Sequence, residues 1–156
     1  MAASRRRVWV FLLTSITFAC AKGEPLTLRS LQHGENLWLK QAMPHYEIKL
    51  TISGDRIQSG DFVSEVKDDI VVHVTRNGES ISSKDPFYSI PGMFQFLQDE
   101  LDMSKDPQRY WNASKGARLY QRAHFDPGNG FVRRYLRSVS GVNHGILIDI
   151  HAVRSL

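Results

Sequence analysis

His124-Phe125-Asp126 and Asp149-Ile150-His151 each set an imidazole and a carboxylate two residues apart. On a β-strand that spacing points both side chains to one face. Two such strands side by side bring together two nitrogen and two oxygen donors, a ligand set suited to a divalent metal in hydrolysis. His124, Asp126, Asp149 and His151 are therefore candidate metal ligands. Such triplets also arise by chance, and the same four residues serve equally as the solvated side of half-exposed strands. A second group is cationic: Arg118, Arg122, Arg133, Arg134, Arg137 and Arg154, interleaved with Tyr120, His124 and Tyr135. Planar guanidinium groups grip carboxylates and phosphates through paired hydrogen bonds. Arg118, Arg122, Arg133, Tyr135 and Arg137 are thus candidate binding residues for an acidic ligand, a lipid headgroup or an acidic partner protein. Their structural alternative is a charged outer sheet face, paired with Glu47, Glu65 and Asp149 and resistant to edge aggregation.

Other chemistries find little support. There is no Gly-x-Ser-x-Gly elbow, P-loop or dinucleotide fingerprint, and no cofactor is implied. Asp99, Glu100 and Asp102 close a helical segment on different faces, and solvation accounts for them. Asn112-Ala113-Ser114 is a formal glycosylation acceptor and reads as an exposed loop.

The chain has 156 residues and a formal charge of +4, with one cysteine. Arg5, Arg6 and Arg7 carry three of those charges. Without residues 1–21, 17 basic residues face 16 acidic ones, so the remainder gives no reason to expect a nucleic-acid partner. The arginine triplet precedes Val8 to Phe18, an apolar run of 11 residues, too short for the ~20-residue span of a bilayer and suited to an export signal. Two cleavage sites compete. Ala19-Cys20-Ala21 fits an A-x-A site before Lys22, whereas Thr17-Phe18-Ala19-Cys20 fits a lipoprotein box with Thr in place of the usual Leu. The lone cysteine has no disulfide partner, which favours lipidation at Cys20. Residues 1–21 are then a signal, 22–26 a tether and 27–156 a single domain in the bacterial envelope.

Positioning these residues requires a sheet. Thr27 can cap a helix through Gln41 with Leu28, Leu31, Leu37 and Trp38 buried, although Gly34 costs it about 1 kcal/mol. Tyr46, Ile48, Leu50 and Ile52 alternate with polar residues as a strand. Asp61–Lys67 and Ile70–Arg76 form a hairpin across Asp68-Asp69, and Asn77-Gly78 is a further turn. Ile90, Met93, Phe94, Leu97 and Leu101 make the stripe of a second helix, capped by Ser89 with Pro91 in its first turn. Residues 117–125, 131–139 and 146–153 complete the set, the first pair joined by Asp126-Pro127-Gly128-Asn129-Gly130. The expected fold is α+β: about six antiparallel strands with two helices on one face, in the order α-β-β-β-α-β-β-β.

The Trp38 to Tyr46 spacing, Val66-x-Asp68-x-Ile70-Val71, Tyr88-Ser89-Ile90-x-Gly92-Met93-Phe94 and Phe125-Asp126-x-x-x-Gly130-Phe131 resemble a group of small exported bacterial domains of unknown function, many of them lipoproteins. The resemblance runs from Leu37 to Val153. It implies the exported location and the sheet-plus-helices fold, and it supplies no catalytic residues. Many of those domains carry a cysteine pair near the first strand, which this chain lacks. The expected function is non-catalytic: an envelope interaction or ligand-binding module, with a metal-assisted hydrolase as the alternative.

Overall fold

A computed structural model of the chain describes residues 23–54 and 59–156. The export signal and Cys20 lie outside the described residues. Eight strands form one antiparallel sheet: β1 (Glu24–Pro25), β2 (His45–Gly54), β3 (Gly60–Lys67), β4 (Ile70–Arg76), β5 (Glu79–Ile81), β6 (Leu119–Phe125), β7 (Val132–Val139) and β8 (Ile146–Ser155), in the spatial order β1-β6-β7-β8-β2-β3-β4-β5. Three helices, α1 (Leu28–Leu39), α2 (Ile90–Met103) and α3 (Pro107–Trp111), and a 3₁₀ turn at Pro86–Tyr88 complete the described residues. The expected α+β antiparallel sheet is present. Two short edge strands and a third helix are added to the six strands and two helices expected.

The central strands β2 and β8 carry the regular alternation. Tyr46, Ile48, Leu50, Ile52, Ile146, Ile148 and Ile150 are buried, and the residues that alternate with them on the opposite face are polar except Leu147. Asp68 and Asp69 adopt φ of 50° and 62°, and Asn77 and Gly78 φ of 51° and 85°. These pairs of left-handed residues match the twist of two-residue hairpins. The second hairpin brings in β5, which covers only Val74–Arg76 of β4. On the uncovered half of that edge a register shift leaves Val72 as an extra residue, and such a bulge blunts the edge against pairing with another chain.

The helices lie on the side of the buried strand residues. Ser89 caps α2 by accepting from the Gly92 N–H at 3.1 Å, and the helix buries Ile90, Met93, Phe94 and Leu97 as its spacing predicts. The Ile90 N–H also donates to the Tyr46 hydroxyl at 3.3 Å. Burial pushes the Tyr46 phenol up to about 12, so it stays protonated within the core. In α1 a capping box joins Thr27 and Ser30, and Leu31, Gly34 and Trp38 are buried. Leu28 was expected inside but is exposed, whereas Leu26, before the cap, is buried with Leu31, the N′ and N4 positions of a hydrophobic staple. Glu24 and Pro25, read above as tether, pair with Ala123 and Arg122, and the Leu26 N–H donates to the Gln121 carbonyl at 3.0 Å. That segment is part of the sheet.

Candidate functional site

The four candidate metal ligands do not converge. His124 on β6 is opposite Arg134 on β7, which is opposite Asp149 on β8. Two strand spacings, about 10 Å, therefore separate the His124 and Asp149 backbones. Between them Arg134 pairs with Asp149, Nε to Oδ1, at 3.4 Å. His151 contacts the Thr51 hydroxyl at 2.7 Å, and that hydroxyl also donates to Asp61 Oδ1 at 2.7 Å. Asp126 leaves this face altogether. Its Oδ1 accepts from the N–H groups of Gly128 at 3.0 Å and Asn129 at 2.7 Å, and its Oδ2 meets Arg133 Nε at 2.8 Å and Nη2 at 2.6 Å. Among the described residues no group of three or more His, Cys, Asp and Glu side chains is arranged to hold a metal ion.

Asp126 is instead the organiser of the β6–β7 turn. Burial pushes its carboxyl upward, but the Asn129 and Gly128 N–H groups and the Arg133 guanidinium outweigh that and hold it below the usual carboxylate range. Its folded pKa is depressed, so its stabilisation is complete above the unfolded value near ~3.9 and is lost as pH falls through the folded value. Asp126→Ala is expected to cost about 1–2 kcal/mol, as loss of a helix cap does. Its urea midpoint should also fall less steeply than the wild type's between about pH 5 and pH 2.

The arginine group divides at a bulge. Phe125 pairs with Val132 and His124 with Arg134, which leaves Arg133 as an extra residue on β7. Alternation from Arg133 would point Tyr135 and Arg137 outward with it. The extra residue resets the alternation and turns both into the core, where they are 0% and 4% exposed. Tyr135 and Arg137 are thus corrected from binding residues to core residues. Arg137 forms an ion pair with Glu100, itself 1% exposed on α2 and not solvated as its acidic neighbours had suggested. The Tyr135 hydroxyl donates to Glu100 Oε2 at 2.8 Å, and Gln121 Nε2 donates to the Glu100 carbonyl at 2.9 Å. Arg137 Nε reaches the His144 carbonyl at 3.2 Å, and its guanidinium lies 5.1 Å from the Trp111 ring centroid. Burial, reinforced by Glu100, pushes the Tyr135 phenol far above its ordinary value, so it remains a donor. The network ties α2, α3, β6 and β7 together, with Glu100, Tyr135, Arg137 and Trp111 buried and Gln121 part-buried at its edge.

Arg122 remains on the outer face of β6 and Arg118 lies exposed just before that strand, flanking Tyr120, which is 49% exposed. The Arg122 Nε donates to the Gly23 carbonyl at 3.0 Å. Across the sheet, Arg122 is opposite Leu136, which is opposite Leu147, which is opposite Ser53; in the neighbouring row Tyr120 is opposite Ser138. Leu136, Leu147, Ser53, Ser138 and Asn143 line a shallow concavity of about 510 Å³ on this face. Its lining combines leucine side chains with hydroxyl and amide groups, and on the neighbouring strand Tyr120 and Arg122 stand opposite two of its residues, Ser138 and Leu136. Tyr120 was named in the sequence only as one of the aromatic residues among the arginines, and Leu136 was not singled out. The signal for the tyrosine was present in the alternation of residues 118, 120, 122 and 124, all exposed, whereas the outward place of Leu136 follows from the β7 bulge.

No protein-family model matches this chain, and no curated protein matches it. Among the described residues no helix is long and apolar enough to cross a membrane.

Proposed function

We propose that this protein is a non-catalytic binding module of the bacterial cell envelope, exported and held at the membrane through a lipid on Cys20. Its ligand combines an anionic group with an apolar segment. The observation that carries this reading is the outer sheet face itself: the helices cover one side only, and the other presents Arg118, Tyr120 and Arg122 beside the Leu136 and Leu147 concavity. Guanidinium groups supply the anion contacts, while the tyrosine ring and two leucines supply apolar area without a rigid pocket. The resemblance to small exported domains supports the location, and it rests on turn, cap and aromatic positions rather than on a site.

Titration of the full chain with dodecyl phosphate below its micellar concentration tests the binding. Saturable association is expected, weakened at least tenfold in the Arg118→Ala/Tyr120→Ala variant with its far-ultraviolet circular dichroism unchanged, and weakened further by salt. Equal affinity in wild type and variant would remove the outer face as the site. The intact mass of the protein from its host's membrane fraction tests the tether. A diacyl or triacyl increment on Cys20 is expected, and a chain beginning at Lys22 would sink the lipid reading.

A further inference from the structure

On the opposite, helical side, the 3₁₀ turn at Pro86–Tyr88 is pressed against the first turn of α2 so closely that a Cβ added at Gly92 would lie 1.7 Å from the Pro86 carbonyl oxygen. The turn and helix enclose an open notch of about 360 Å³, lined among others by Asp85, Phe87, Tyr88, Gln95, Phe96 and Asp99. Its rings stand at different angles: Phe87 is edge-on to Tyr88 at 5.4 Å and to Phe96 at 5.2 Å between centroids. Its carboxylates are occupied on one oxygen each. Asp85 Oδ1 accepts from the Phe87 N–H at 2.9 Å, and Asp99 Oδ1 accepts from Gln95 Nε2 at 2.8 Å. Among the described residues neither carboxylate forms an ion pair. Arg76 lies over the Phe62 ring at 6.0 Å and donates to the Ser59 carbonyl, and it does not line the notch.

Aromatic walls with two unpaired carboxylates are complementary to a cation that also has apolar surface. An inorganic ion would need to be stripped of water and would gain few oxygens here. An alkylammonium loses less hydration and gains from ring faces as well as from charge. We propose that this notch binds an organic ammonium group, either a free methylated amine or the ammonium end of a partner's lysine. The proposal is independent of the outer-face reading, since it concerns the other side of the sheet.

The test is a nuclear magnetic resonance titration of the full chain, following the ring signals of Phe87, Tyr88 and Phe96. Tetramethylammonium chloride and Nα-acetyl-lysine amide are the two probes, with sodium chloride at equal ionic strength as the reference. Saturable ring shifts with at least one probe are expected, together with an apparent affinity reduced at least fivefold in Asp85→Asn/Asp99→Asn. Asparagine retains the side-chain oxygen that accepts from Phe87 and Gln95, so the notch itself should persist. Response to tetramethylammonium alone assigns a methylated amine, and response to the lysine probe assigns a primary ammonium such as a partner side chain. Linear, non-saturating shifts with both probes, or an unchanged affinity in the double variant, overturn the proposal.

Discussion

Replacing Glu100 by alanine is expected to lower the unfolding free energy by about 3–5 kcal/mol, the usual result of removing one partner from a buried ion pair. The side chains of Arg137 and Glu100 are 5% and 1% exposed, so the guanidinium left behind cannot recover its hydration. It would retain only the His144 carbonyl and the face of Trp111. Tyr135 would lose the acceptor of its hydroxyl at the same time. The charge pair itself need not be a net stabiliser, because desolvating two ions offsets most of their attraction. That distinction makes a second outcome testable. Glu100→Met/Arg137→Met removes both charges at similar volume, and its urea midpoint should return to within about 1–2 kcal/mol of wild type or exceed it. If the double variant were as unstable as Glu100→Ala, the loss would come from packing of α2 and not from a stranded charge.

This network also marks where sequence reading stops. The β2 alternation, the Asp68-Asp69 hairpin and the Ser89 cap are local patterns, and each is complete within a few consecutive residues. Glu100 follows Leu97 by three positions and so lies on the same helical stripe as Met93 and Phe94. An acidic residue there is read as solvated until the opposing cation is known. Arg137 could not be supplied as that cation, because the bulge at Arg133 depends on how β7 pairs with β6, and a one-residue shift exchanges the two faces of everything that follows. The metal reading failed for a related reason. The two triplets predicted faces correctly for His124 and Asp149, but strand order puts Arg134 between them, and Asp126 lies past the strand end. β1, β5 and α3 are two, three and five residues long, too short to show a period. Only Asp106-Pro107, a cap followed by an N1 proline, signals the last of them.

Gly34→Ala is the second large effect expected, and its sign separates two physical arguments. Helix propensity alone favours the alanine by about 1 kcal/mol, and this is why the glycine counted against α1 in the sequence. Tertiary contact predicts the reverse. A Cβ at position 34 would lie 2.7 Å from the Gly130 carbonyl oxygen and 2.7 Å from Phe125 Cδ1. The ring can swing aside, but the carbonyl belongs to the turn held by Asp126 and cannot. The contact is reciprocal: a Cβ at Gly130, whose φ is +82°, would lie 2.1 Å from the Gly34 carbonyl oxygen. Helix α1 therefore sits on the β6–β7 turn backbone to backbone, and this close seating holds Trp38 edge-on to Tyr46 at 5.3 Å. Overpacking of this kind typically costs 1–3 kcal/mol, so a net loss of about 2 kcal/mol is expected for Gly34→Ala by urea unfolding. Gly130→Ala should lose more, because it adds the strain of a left-handed backbone to the same collision. A stabilised Gly34→Ala would mean that α1 does not rest on that turn, and the packing of Trp38 against the first long strand would need a different cause.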